Sequence, residues 1–211
     1  KIVDHISDVN FVLTEHARRY LIREGINQHL IFKSGSHLPE IIKAHKTKIN
    51  KSKILTNLKL KKNNYFLFSF HREENVDNKD NLNEILDAVD LIYQNFKLPI
   101  LISTHPRTLA RFHKNKIYEK LKKNKKINFH KPLGFFDYLA LQISSKCVIS
   151  DSGTITEESS FLNFPAITMR KSHERPEGFD SGVLIMTGLN KNAILSSINI
   201  TINNFNKSID R

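Results

Sequence analysis

The chain has 211 residues, 39% of them apolar, enough to bury one domain of ordinary size with part of another. Its formal net charge is +12, but the lysines run together with Asn and Ile, with few arginines and no interleaved aromatics. That pattern reads as solvated surface and speaks against a nucleic-acid partner.

A single cysteine, Cys147, excludes a disulfide framework within the chain and fits a reducing cytoplasm. No apolar run approaches the roughly 20 residues that cross a bilayer, and no signal-peptide pattern opens the sequence, so a cytoplasmic protein without a membrane partner is expected. The chain opens on Lys1 in mid-pattern, which suggests a fragment or a cropped domain.

In chain order, Asn10 to Thr14 reads as a short strand and Glu15 to Glu24 as a helix stopped by Gly25. Leu30 to Lys33 is a second strand, Ser34 to Pro39 a turn or domain crossover, and a helix starts near Leu38. The lysine-rich stretch Lys46 to Lys62 reads as a linker. Tyr65 to Phe70 is the first strong strand. After it, Leu82, Ile85, Leu86, Val89 and Ile92 fall on one helical face. Strand Pro99 to Ser103, a helix after Arg107, strand Ile127 to Phe129 and helix Phe135 to Ser144 follow, the last with Phe136, Leu139, Ala140 and Ile143 on one side. Then come strand Val148 to Ser150, helix Ile155 to Leu162, strands Ala166 to Met169 and Val183 to Met186, and a final helix Asn192 to Ile198. The alternation predicts an α/β domain, a Rossmann-like parallel sheet with helices on both faces.

The stretch Cys147 to Glu158 (CVISDSGTITEE) is the most informative. A strand, a hydroxyl- and glycine-bearing turn and a helix start in sequence suit an anion, because helix N-terminal N–H groups lack partners and carry partial positive charge. With one glycine, the same residues also fit a simple N-capped helix. In open parallel sheets ligands bind beyond the carboxyl ends of the strands. There the sequence places His71, Arg72, Glu73, Glu74 and Asn75; Thr104, His105 and Arg107; His130 and Lys131; Ser150, Asp151, Ser152, Gly153 and Thr154; and Arg170, Lys171, Ser172, His173, Glu174 and Arg175. Five consecutive strands ending in cations and hydroxyls suit a nucleotide diphosphate. Each cluster has a plainer reading: Glu73 and Glu74 as loop carboxylates pairing with Arg72 and Lys79, His105-Pro106 as a turn, Glu157 and Glu158 as acids favouring a helix N-terminus.

Other chemistries find no support. There is no HExxH and no cysteine set for zinc, so no metal is expected. GxGxxG, GxxxxGK[ST] and GxSxG are absent, which argues against a dinucleotide, a P-loop and a nucleophile elbow.

Four motifs together, HREENV at His71 to Val76, THPR at Thr104 to Arg107, SDSGTITEES at Ser150 to Ser159 and HERPEG at His173 to Gly178, resemble the non-hydrolysing UDP-N-acetylglucosamine 2-epimerase family over nearly the whole chain. The SDSGTITEE and HERPEG forms look most like the UDP-N-acetyl-L-fucosamine synthase-like branch; the more usual form has a second glycine at Thr154 and Thr at His173. The resemblance implies the C-terminal domain of a glycosyltransferase-B-like, two-domain epimerase with a UDP-sugar in the cleft. It implies residues 1–34 as the tail of the first domain and crossover, 35–190 as the UDP-binding domain, and 191–211 as a helix returning towards the first domain. A glycine/arginine loop and several catalytic carboxylates would then lie before Lys1, and the full-length protein would be a homodimer without a cofactor.

By the same resemblance, His71 is the catalytic residue near the reacting sugar, Ser152, Gly153 and Thr154 hold the diphosphate, Glu158 accepts from the ribose hydroxyls, and Arg170 with the HERPEG segment completes the cleft. Arg72, Glu74, Asn75, His105, Arg107, Ser150, Glu157, His173 and Arg175 are further expected substrate contacts. The implied reaction eliminates UDP across C1 and C2 and adds it back with inverted C2, to supply surface-polysaccharide precursors. Three alternatives stay open: a UDP-binding half without turnover of its own, a glycosyltransferase of similar fold, and a hydrolysing epimerase.

Overall fold

Phe66, Leu67 and Phe68 are wholly buried, as are Cys147, Val148 and Ile149. Runs that are apolar on consecutive residues cannot alternate between core and water, so they occupy the centre of a sheet covered on both faces. The computed structural model describes residues 1–112, 115–170 and 184–209. Its internal contacts divide the chain into two units, Lys1–Ala44 and His45–Arg211.

In the first unit, α1 (Ile2–Ile6) precedes strand β1 (Asn10–Val12), helix α2 (Glu15–Arg23) and strand β2 (Ile31–Lys33). Thr14 caps α2, its hydroxyl accepting from the Ala17 N–H at 3.2 Å, and Gly25 ends the helix region at φ +88°. β1 and β2 pair in parallel, Asn10 opposite Ile31. Phe11 and Phe32 stack beside each other on the exposed face, their rings 5.6 Å apart.

The boundary between units falls inside α3 (Leu38–Asn50), followed by α4 (Ile54–Asn57). The stretch expected as a linker is therefore helical over about half its length. Ile49 and Ile54 are buried, and the His45 ring packs 4.9 Å from that of Phe136, so apolar anchors among the lysines hold it to the structure.

The second unit carries strands β3 (Phe66–Ser69), β4 (Ile100–Ser103), β5 (Ile127–His130), β6 (Cys147–Ser150), β7 (Ala166–Thr168) and β8 (Ile185–Met186). They lie in the order β5-β4-β3-β6-β7-β8, every neighbour parallel. The chain thus builds outward from β3 through β4 to β5, then returns to start again at β6 on the other side of β3. That reversal is the topological switch point of a doubly wound sheet, and Ser69 faces Ser150 across it. The last strand was expected from Val183, which lies outside the described residues.

Helix α5 (Glu73–Val76) is a single turn after β3, and α6 (Lys79–Phe96) follows it. Asn78 caps α6, its side-chain Oδ1 accepting from the N–H groups of Asp80 and Asn81 at 2.9 and 3.0 Å. Leu82, Ile85, Leu86, Val89 and Ile92 are all buried, each contributing roughly 1.5–3 kcal/mol of burial. The final helix, α11 (Lys191–Ile209), packs against α6 and β7 with Ile194 and Ile198 wholly buried.

Helix α7 (Pro106–Arg111) starts on Pro106, whose missing N–H costs nothing there. Helix α8 (Lys116–Lys122), hidden in the sequence by its lysines, is capped by Asn115 and buries Tyr118 and Leu121. Tyr118 stacks on Phe112 at 4.5 Å, and Phe129 closes the cluster edge-on to both rings. Helices α9 (Phe135–Ser144) and α10 (Ile155–Leu162) flank β6 in sequence. Among the described residues, no helix is long and apolar enough to cross a membrane.

Candidate functional site

The switch point gathers two loops that are 80 residues apart in sequence. After β3 the chain passes through buried Phe70 to His71; after β6 it passes through buried Ser150 to Asp151, whose N–H continues the ladder to the Ser69 carbonyl at 3.2 Å. The Asp151 side chain is wholly buried. Its carboxylate accepts from the His71 N–H at 3.2 Å to each oxygen, from the Arg72 N–H at 3.1 Å and from the Asn75 side-chain amide at 2.9 Å. The Arg72 Nε donates back to the Asp151 carbonyl at 3.0 Å. Two rim clusters that look separate in sequence are therefore one hydrogen-bonded unit. The His71 side chain stays half exposed, with Nδ1 3.6 Å from the Asp151 Oδ1.

Beyond Asp151 the turn folds on its own hydroxyls. The Ser152 N–H donates to the Ser150 Oγ at 3.1 Å, the Ser152 and Thr154 hydroxyls share a hydrogen bond of 2.9 Å, and the Thr154 N–H reaches the Ser152 Oγ at 3.3 Å. Thr154 is the N-cap of α10, and its own side chain makes no capping hydrogen bond. Its positive end is directed at the Ser152-Gly153-Thr154 turn without the N-cap side-chain acceptor that Asn78 gives α6 and Asn115 gives α8, which suits an external anion.

Glu158, in the first turns of α10, is almost fully buried, and its Oε2 accepts from the Gln142 amide, itself wholly buried. The partly buried Tyr138 phenol lies in hydrogen-bonding reach of Ser69 and Gln142. Burial, with the nearby Glu158 and Asp151 carboxylates, pushes its pKa well up, so it stays a hydroxyl donor. Tyr138, Gln142 and the anchoring role of Asp151 escaped the sequence reading. Their signal was present: Tyr138 and Gln142 stand four apart on α9, on one helical face, and both are polar where neighbours Leu139 and Leu141 are core residues.

The expected residues divide by place. His71, Arg72, Asn75, Ser150, Ser152, Gly153, Thr154 and Glu158 meet at the switch point. Asn75 is buried with its amide on Asp151, and Ser150 is buried with its hydroxyl on the turn. Glu157 is partly buried in the first turn of α10. Arg170 is buried just past β7, which is tied to β6 by the Met169 N–H on the Ser150 carbonyl at 2.9 Å.

On the β4 side, His105 caps α7, its Nδ1 accepting from the Arg107 N–H at 3.3 Å. The Arg107 guanidinium spans Glu73 and Asp77, and Arg111 donates to Asp77 at 2.9 Å. Glu73 is thus paired with Arg107, while Glu74 is exposed with Arg72 3.7 Å away. The hydrogen bond from Arg107, with that from Arg111, holds the Asp77 carboxyl below its usual value. Arg107 is engaged in pinning the turn α5 that follows His71. His173 and Arg175 lie outside the described residues. Among the described residues, no three His, Cys, Asp or Glu side chains converge as a metal site.

The family model for UDP-N-acetylglucosamine 2-epimerase matches residues 1–211. The UDP-N-acetylglucosamine 2-epimerase of Methanocaldococcus jannaschii is 35% identical over 205 residues, covering 96% of this chain and 56% of that protein. The solved UDP-N-acetylglucosamine 2-epimerase of Rickettsia bellii superposes with a TM-score of 0.87 at 45% identity, over 96% of this chain and 53% of its own. The M. jannaschii enzyme solved in complex with UDP-GlcNAc and UDP gives 0.88 at 34% identity, over 96% and 56%. The chain spans about half the length of the curated relatives it matches.

Proposed function

This chain belongs to the UDP-N-acetylglucosamine 2-epimerase family, and we propose that the protein carrying it interconverts the C2 epimers of a UDP-2-acetamido sugar in the cytoplasm, for surface polysaccharide. The observation that carries the reading is the pairing of the α10 N-terminus and its hydroxyl turn with the His71-Arg72 loop on adjacent strand tips.

The C2 hydrogen of such a sugar is not next to a carbonyl, so direct abstraction is unfavourable. Elimination solves this. The C1–O bond to the diphosphate breaks with its electron pair going to UDP, the C2 proton leaves to a base, and a C1–C2 double bond forms. Re-addition of UDP at C1 with a proton delivered to the other face of C2 gives the epimer. Negative charge grows on the departing diphosphate. Donors already aimed at it lower the barrier, each typically by about 3–4 kcal/mol. Ser152, Gly153, Thr154, Arg72 and His71 are the donors assigned to it.

Glu158 is assigned to the ribose. A ribose diol offers two O–H donors, and a carboxylate takes both; Gln142 occupies one oxygen, Oε2, and so fixes the group's orientation. The proton transfers at C2 need positioned acid and base groups, which the family resemblance assigns chiefly to the preceding domain.

The test is solvent exchange. The full-length protein incubated in D2O with UDP-N-acetylglucosamine, and with its 6-deoxy relatives, is expected to place deuterium at C2 and to produce a second epimer by proton NMR. No exchange with any UDP-2-acetamido sugar would sink the proposal, and free sugar accumulating with UDP would shift it to a hydrolysing epimerase.

A further inference from the structure

Asp151 is a wholly buried carboxylate on the same sheet edge that is assigned to a diphosphate. Its negative charge opposes anion binding there, and its burial costs solvation. Both costs make sense only if the carboxylate does something the anion site needs. What it does is legible in its partners: the N–H groups of His71 and Arg72 and the amide of Asn75 all donate to it, and Arg72 closes the ring from the other direction through Nε on the Asp151 carbonyl. Charge-assisted bonds of this kind are stronger than neutral ones. They consume the acceptor capacity of the carboxylate inside the β3 loop, so that the charge is spent on ordering that loop. The ring of His71 is presented with Nδ1 towards Oδ1 at 3.6 Å, while half its surface stays open.

We propose that Asp151 is the positioning residue of the site: it holds the His71-Arg72 loop of β3 at a set distance from the Ser152-Gly153-Thr154 turn of β6, so that both reach one diphosphate. The reaction it serves rests on the epimerase reading above; the geometry does not. Asn75 is the secondary anchor, buried, with its amide on the same oxygen as the Arg72 N–H. Its place in the site is therefore to hold Asp151 and not to touch the sugar.

Asp151→Asn keeps the size of the side chain but turns an NH2 towards donors. In the 211-residue chain, amide hydrogen exchange at His71 and Arg72 is expected to accelerate about tenfold, the loss of roughly one local hydrogen bond. UDP affinity by calorimetry is expected to fall only a few-fold, because the His71 and Arg72 donors are displaced while the turn and Glu158 keep their contacts. In the full-length protein, kcat is expected to fall about 100-fold, the penalty for displacing an active-site group by about 1 Å, with KM little changed. Should that variant fail to fold, Asn75→Ala, which removes one donor and leaves the carboxylate, is expected to lower kcat with KM held. A folded variant with parental kcat overturns the proposal, as does one in which kcat and thermal stability fall while KM rises in step, the mark of a merely structural residue. If the unsubstituted protein exchanges no C2 hydrogen, the epimerase reading fails; amide exchange then decides the positioning role alone, protected His71 and Arg72 amides in Asp151→Asn overturning it and loosened ones sustaining it.

Discussion

The side-chain amide of Asn75 donates to the buried carboxylate of Asp151 at 2.9 Å, across 76 residues of chain. The bond joins the carboxyl ends of β3 and β6, which lie side by side only because the chain reverses its strand order between them. The loop bearing His71 and the loop bearing the Ser-Gly-Thr turn thereby become one surface, and the chemistry proposed for that surface leads to four measurements.

Replacing Ser152 and Glu158 together by alanine removes an acceptor and donor at the turn and the carboxylate assigned to the ribose. Hydrogen bonds to charged groups contribute about 1.5–3 kcal/mol, so UDP affinity is expected to drop by roughly 10- to 100-fold or more. Calorimetry on the chain reads this directly. Unchanged affinity would place the nucleotide elsewhere.

Gln142→Ala leaves the nearly buried Glu158 without its amide partner. A stability loss of about 1–3 kcal/mol is expected in denaturant melts, the cost of an unsatisfied buried group. The same change frees the carboxylate to rotate, so the preference for UDP over 2′-deoxy-UDP is expected to shrink. A preference that survives intact would separate Gln142 from ribose recognition.

The Asp77 carboxyl is held below its usual 3.8 by the hydrogen bonds of Arg107 and Arg111. A depressed folded value means that the pair's contribution is present above pH 3.8 and is lost as pH falls through the folded value. In Arg107→Ala, the carboxyl carbon of Asp77 is expected to titrate closer to 3.8 in a 13C-detected titration. The acid-side loosening of α5 should then begin at higher pH. Because the pair is exposed, added salt is expected to weaken it as well.

Cys147 lies at the start of β6, fully buried, and burial pushes its thiol pKa strongly up. The thiolate is the reactive form, so the native protein is expected to resist thiol-directed alkylation at pH 8 and to react fully in denaturant. Fast labelling of the folded chain would show that the sheet opens around its interior strand β6.

The central strands were legible because they are unbroken apolar runs, as in Phe66-Leu67-Phe68, and α6 because five aliphatic residues repeat at helical spacing. Helix α8 was not, since Tyr118 and Leu121 are its buried residues among the lysines, and α5 was not, being a single turn. The stretch expected as a linker proved partly helical, held by buried Ile49 and Ile54, and two isoleucines among lysines form no visible period. At the site, the motifs around His71 and Ser152 stood out by composition. Tyr138 and Gln142 did not, because on α9 the eye follows the apolar residues between them.

By itself the order of residues determined the elements, the parallel α/β class, the polar rim and the family likeness, since these follow from local periodicity, turn chemistry and motifs a few residues long. Only the tertiary structure decided that Asp151 faces inward as the shared acceptor for His71, Arg72 and Asn75, that Arg107 clasps Glu73 and Asp77, and that Glu158 rests on Gln142. The physical reason is that a hydrogen bond is chosen by whichever donor packing brings within reach of a buried acceptor. That choice depends on strand order, which no short window of sequence contains.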